Sequence, residues 1–102
     1  MPSPPFDVQR SDRATTLTVR GSLDINSAPQ LAEEIDRIVA HRPPRVVCDL
    51  SSLELIDSSG VAALVKLYKA VRNLGGAVEI TGAKDQPLAI FKLLRMDKVF
   101  NI

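Results

Sequence analysis

Between Leu31 and Thr81 the apolar residues switch spacing three times, and that alternation constrains the fold more than any other property of the chain. Leu31, Ile35, Ile38 and Val39 recur at helical spacing, opposite Glu33, Glu34 and Arg37. Ser27-Ala28-Pro29-Gln30 just upstream has Ser-x-x-Gln spacing, which predicts a capping box with proline in the first turn. The helix should stop before Pro43-Pro44, because a residue preceding proline is driven out of the α region. Arg45-Val46-Val47-Cys48-Asp49-Leu50 is then apolar at consecutive positions, as in a central strand covered on both faces. Val61, Leu64, Val65, Tyr68, Val71 and Leu74 form a second helical stripe, ended by Gly75-Gly76. Ala77–Thr81 returns to strand character. A third helix is expected from about Pro87, with Asp85 as candidate cap and Leu88 to Met96 well buried.

Upstream, Phe6 and Val8 alternate with polar neighbours, as do Leu17 and Val19. These two period-2 segments, joined by Ser11-Asp12-Arg13, predict an antiparallel hairpin, with Gly21 ending its second strand. Val99–Ile102 reads as a last short strand or a docked tail. The order is a hairpin, then helix, strand, helix, strand, helix. Right-handed parallel crossovers follow from that alternation, so the expected fold class is α/β, with a mixed sheet flanked by helices. Residues 1–5 form a proline-rich leader, and 6–102 a single domain.

Bulk properties narrow the function classes. A chain of 102 residues is one domain with one core. A formal charge of +1 and four aromatic residues argue against nucleic acid as a partner. The longest purely apolar run, Val61 to Val65, is too short to enter a bilayer as a span, and Met1–Pro5 lacks signal-peptide character. One cysteine, Cys48, cannot form an internal disulfide and fits a reducing cytoplasm. Inside an apolar strand it reads as core. No metal cluster or cofactor motif is visible in the sequence.

Leu55-Ile56-Asp57-Ser58-Ser59-Gly60-Val61 sets an acid, two hydroxyls and a glycine where a strand gives way to a helix. A helix start carries unpaired N–H groups and partial positive charge, so an anion is favoured there. A serine in that place can attack a substrate, cap the helix, or accept a phosphate. A nucleophile elbow needs Gly-x-Ser-x-Gly, and Ile56 or Asp57 stands where its first glycine belongs. The single histidine, His41, falls at the end of the first helix, where it complements the dipole, and Lys66 and Lys69 lie turns away. Without an activating base a serine is a poor nucleophile, so an enzyme is not expected. Asp57 or Ser58 can be the N-cap. Gly60 in the first turn costs helix stability, and a small residue there leaves the backbone open to something approaching from outside.

Asp57-Ser58-Ser59-Gly60, preceded by Val46-Val47-Cys48-Asp49-Leu50-Ser51, closely resembles the anti-sigma factor antagonist family, the phosphorylatable members of the STAS domains. Gly21-Ser22-Leu23-Asp24 resembles that family's Gly-x-Leu-Asp loop, and Asp97-Lys98-Val99-Phe100 its closing segment. The likeness runs from about residue 6 to the end, and it implies the STAS fold. It implies a regulatory protein whose Ser58 is phosphorylated by its partner, an anti-sigma factor that is itself a GHKL-type serine kinase. The unmodified form binds that kinase and frees a sigma factor; the modified form lets go until a PPM-type serine phosphatase restores it. Asp24, Asp57, Ser59, Gly60 and Val61 match positions at or beside the kinase-binding surface. Asp24 also reads as a turn residue. Arg95-Met96-Asp97 stands where Ser-Gly-Leu is often found, and the chain ends at Ile102 where many members carry another short helix. STAS modules also serve as accessory subunits of lipid- or anion-transport systems, and a subunit binding a transporter component is the alternative expectation.

Overall fold

The expected hairpin is present in a computed structural model that describes residues 5–102. β1 (Phe6–Arg10) and β2 (Thr15–Val19) pair antiparallel, with Phe6 opposite Val19 and Val8 opposite Leu17. Of the proline-rich leader, residues 1–4 lie outside the described residues, and the Pro5 carbonyl accepts a hydrogen bond from Arg20 N–H at 2.8 Å. The chain continues through β3 (Gly21–Leu23), α1 (Ala28–Ala40), β4 (Arg45–Asp49), β5 (Leu53–Ile56), α2 (Ser58–Asn73), β6 (Ala77–Thr81) and α3 (Asp85–Leu93). The main sheet has the order β1-β2-β4-β6, with β2, β4 and β6 parallel.

Two strands were not anticipated. β3 and β5 form a separate parallel pair, which the chain reaches by leaving the main sheet after Val19 and again after Asp49. β3 is three residues long, and β5 reads Leu-Glu-Leu-Ile with only its first and last residues buried. A register shift between Gly21 and Ser22 places Leu53 opposite Gly21 but Leu55 opposite Ser22. Such a bulge breaks the period-2 pattern by which a strand is recognised.

The expectation for β4 is also corrected. Val46 and Cys48 are buried, while Val47 and Asp49 are half-buried, so the strand is not covered equally on both faces. Val47 lies between Thr16 and Glu79, and Asp49 between Thr18 and Thr81, making the second face mostly polar. Consecutive apolar residues in β4 therefore do not signal helices above and below. The buried face joins Leu31, Ile35 and Ile38 of α1, Leu64, Leu67 and Val71 of α2, and Phe91 of α3 in one apolar cluster. Cys48 belongs to that cluster, and burial pushes its thiol pKa up to about 12. On the polar face the Ser51 hydrogen bonds, and more weakly Arg20, hold Asp49 below the usual carboxylate range.

Several helix ends follow local chemistry. α1 stops before the prolines as expected, and exposed His41 is its C-cap. Gly75, at φ +84°, closes α2: Gly76 N–H donates to Val71 O at 2.9 Å and Gly75 N–H to Arg72 O at 3.0 Å. Asp85, however, does not cap α3; it is the first helical residue, at φ +52°, and Lys84 holds the N-cap position without a side-chain bond. Nor is Leu88 to Met96 uniformly buried. Leu93 is 75% and Leu94 42% exposed, because α3 turns fully inward only Pro87 and Phe91. The terminal segment is a docked tail: Phe100 is buried and meets both Phe91 and Tyr68 edge-on.

α3 ends on a left-handed residue that is not glycine. Arg95 adopts φ +58°, its N–H donating to Lys92 O at 3.1 Å while Met96 N–H donates to Phe91 O at 2.7 Å. The left-handed region costs a residue with Cβ about 1–2 kcal/mol. Arg95→Gly should therefore stabilise the fold by about 0.5–1 kcal/mol, read as a higher urea midpoint at unchanged slope.

Candidate functional site

Because β3 and β5 run parallel, their C-terminal ends lie side by side and release two acidic loops on one edge of the molecule. Asp24 follows β3 and Asp57 follows β5. The two loops are tied directly, since Asp57 N–H donates to Leu23 O at 3.1 Å. Loops at the carboxyl ends of parallel strands are the usual place for a binding site in such sheets.

Each loop is shaped by its own carboxylate. Asp57 is the N-cap of α2, its Oδ1 accepting from Gly60 N–H at 3.1 Å. Asp24 Oδ1 accepts from Asn26 N–H at 2.9 Å and Ser27 N–H at 3.2 Å, a side chain mimicking a turn. The capping box expected at Ser27 does not form. Its hydroxyl instead accepts from Asp24 N–H and donates to Ser22 O, both at 3.0 Å, and provides no cap to α1. Ser27 therefore stiffens the Asp24 loop, with exposed Ile25 at its tip.

The structure brings together all six residues singled out in the sequence, but at different depths. Ser58, the first residue of α2, is exposed, and Asp24, Asp57 and Ser59 are half-buried. Gly60 and Val61 are buried, Val61 at 4% exposure. This corrects the reason given for Gly60. Its missing side chain faces inward: a Cβ there would sit 2.6 Å from Leu23 O and 2.8 Å from Ile56 Cγ1. Glycine lets α2 start against the end of β3, and opens nothing to the outside. Gly60 and Val61 thus support the surface from beneath.

Gln86 was missed altogether. From the first turn of α3 its Nε2 donates to Ile56 O and its Oε1 accepts from Ile56 N–H, both at 2.9 Å. One amide side chain thereby pairs the backbone of β5 as a neighbouring strand would. No sequence signal reveals this, because Ile56 lies thirty residues upstream. His41 takes no part in the junction, and among the described residues no cluster suited to a metal ion is found. Among them, too, no helix is long and apolar enough to cross a membrane.

A mixed sheet under three helices, with an exposed hydroxyl heading the second, defines a small α/β module that presents a serine. The chain belongs to the STAS domain family, whose pattern spans residues 5–102. It is 22% identical over 96 residues to the anti-sigma-B factor antagonist of Bacillus subtilis, covering 94% of this chain and 87% of that protein. It is 30% identical over 90 residues to the anti-sigma-F factor antagonist RsfB of Mycobacterium tuberculosis, covering 84% and 70%. The crystal structure of an anti-sigma factor antagonist from Mycobacterium paratuberculosis superposes with a TM-score of 0.81 at 29% identity, over 93% of this chain and 80% of that one.

Two substitutions test this account of the supports. Gly60→Ala drives a methyl into a backbone carbonyl that cannot swing aside, so it should destabilise by about 1–3 kcal/mol in denaturant unfolding. Gln86→Leu strips partners from two backbone groups of Ile56 and should cost about 1–3 kcal/mol, with faster amide exchange at Ile56.

Proposed function

We propose that this protein is an anti-sigma factor antagonist acting by partner switching, with Ser58 as the phosphorylated residue. Support comes from relatives of that name and, above all, from one geometric observation. Of the two adjacent hydroxyls, only the first is exposed, at the head of α2 and beside the Asp24 loop. In its unmodified form the surface formed by Ser58, Ser59, Asp57 and Asp24 binds an anti-sigma factor serine kinase of the GHKL type, and a sigma factor is released. The kinase transfers the γ-phosphoryl of ATP to Ser58 Oγ. The hydroxyl proton passes to a base on the kinase and ADP leaves. A PPM-type phosphatase reverses the mark by delivering water to phosphorus and releasing inorganic phosphate.

The physical chemistry favours a change of surface without a change of fold. Phosphorylation adds roughly −1.5 to −2 charges. Within this chain the added anion meets the positive end of the α2 dipole, so the helix tolerates it. Against a docked partner the same anion must be desolvated close to Asp57, and like-charge juxtaposition costs several kcal/mol. The switch needs no moving part in this domain.

Incubation with each GHKL-type kinase of the source organism and ATP, followed by peptide mass spectrometry, should place the phosphate on Ser58 and not Ser59. Ser58→Ala should bind that kinase as well as the unmodified protein does, and Ser58→Asp at least about tenfold more weakly by calorimetry. Full affinity in Ser58→Asp would falsify the electrostatic switch.

A further inference from the structure

Ser58 is also one end of a groove. From it a shallow, widely open groove of about 820 Å³ follows α2 as far as Asn73. Ala62, Val65 and Ala70 line it from α2, and Leu94 and Met96 line it from the segment after α3. The α2 residues recur at spacings of three and four, so they form a single stripe along the helix. Fifteen residues separate Ser58 from Asn73, which is about 22 Å at the helical rise. The small alanines leave room along it, and Met96 is an adaptable side chain.

Its charge is one-sided. Lys66 and Lys69 stand on the groove from its middle onward, and among the described residues no carboxylate lines it. Lys66 Nζ lies 3.9 Å from Asp36 Oδ1, with both side chains well exposed. Such a pair contributes little and leaves the lysine open to a second carboxylate. We infer that the groove seats an acidic amphipathic helix of the same kinase that meets Ser58, an inference that rests on the function proposed above. A helix laid along it sets an apolar stripe on Ala62, Val65 and Leu94, and carboxylates on the two lysines. A fatty acid suits it less well: Lys66 lies about halfway along and Lys69 about three-quarters, so a headgroup anchored at either leaves part of the groove unfilled. Phosphorylation then acts on this segment as well, because the new anion stands at the end of a seat built for an acidic ligand. Contact along α2 extends the interface well beyond the acidic loops, giving the charge at Ser58 a second surface to repel.

The experiment uses the full chain and the kinase found to phosphorylate Ser58, with affinity measured by calorimetry at two salt concentrations. Lys66→Glu/Lys69→Glu should bind at least about tenfold more weakly than the parent, and with smaller salt dependence. Leu94→Gln, an exposed apolar change, should weaken binding about threefold or more, and Arg10→Glu on β1 should stay within about twofold. Thermal melts confirm that each variant is folded. Unchanged affinity in the double reversal, with Ser58 still phosphorylated, overturns the groove assignment and leaves the proposed function standing. If no kinase modifies Ser58, both fall. Saturable binding of sodium oleate, abolished by the double reversal while kinase affinity is kept, gives the groove to a lipid and also overturns the proposal.

Discussion

The Leu23 carbonyl is the point on which the rest of the site depends. It accepts a hydrogen bond from Asp57 N–H and faces Gly60 so closely that a β-carbon there would lie at 2.6 Å. That one oxygen therefore sets both how the two acidic loops sit against each other and where α2 begins. A buried carbonyl needs a donor, and Asp57 provides it from the neighbouring strand's end. The close approach is possible only because residue 60 has no side chain.

Around that point the fold divides its labour between a fixed base and an exposed surface. The strand pair β3–β5 carries both loops, Gln86 braces β5 from the other side, and Asp57 caps the helix. Asp24 and Ser27 spend their polar groups on the loop backbone, which gives a short unpaired segment one shape. All of this lies beneath or beside Ser58, whose own side chain is exposed. A covalent mark on such a residue alters what a visitor meets while leaving the supporting bonds in place. The groove along α2 extends the same logic, with the helix packing Leu64, Leu67 and Val71 inward and displaying its lysines outward.

Much of this was legible in the sequence where one rule acted over several adjacent residues. The hairpin, the three helices, the glycine stop after α2 and the parallel strands β4 and β6 all follow from local periodicity and turn chemistry. Asp57 was visible as one of two candidate caps, because an N-cap is a contact over three residues, and the fold takes it over Ser58. Failures gathered where a residue had two local uses. Ser27 has the spacing of a capping box, yet the Asp24 loop claims its hydroxyl. Val46 to Leu50 looked two-sided because Val47 is apolar, although its neighbours Thr16 and Glu79 are not.

Sequence by itself determined the order of the hairpin, the three helices and strands β4 and β6, and the serine at the head of a helix, since each is a property of neighbours along the chain. Tertiary structure alone decided what surrounds that serine. The bulged strand pair, the Gln86 brace and the inward role of Gly60 join segments about thirty residues or more apart. Their partners are chosen by how the chain closes on itself, and no local pattern encodes that distance. Gly60 shows the difference most clearly: a glycine in a first helical turn announces that space is needed, and only the folded chain shows on which side.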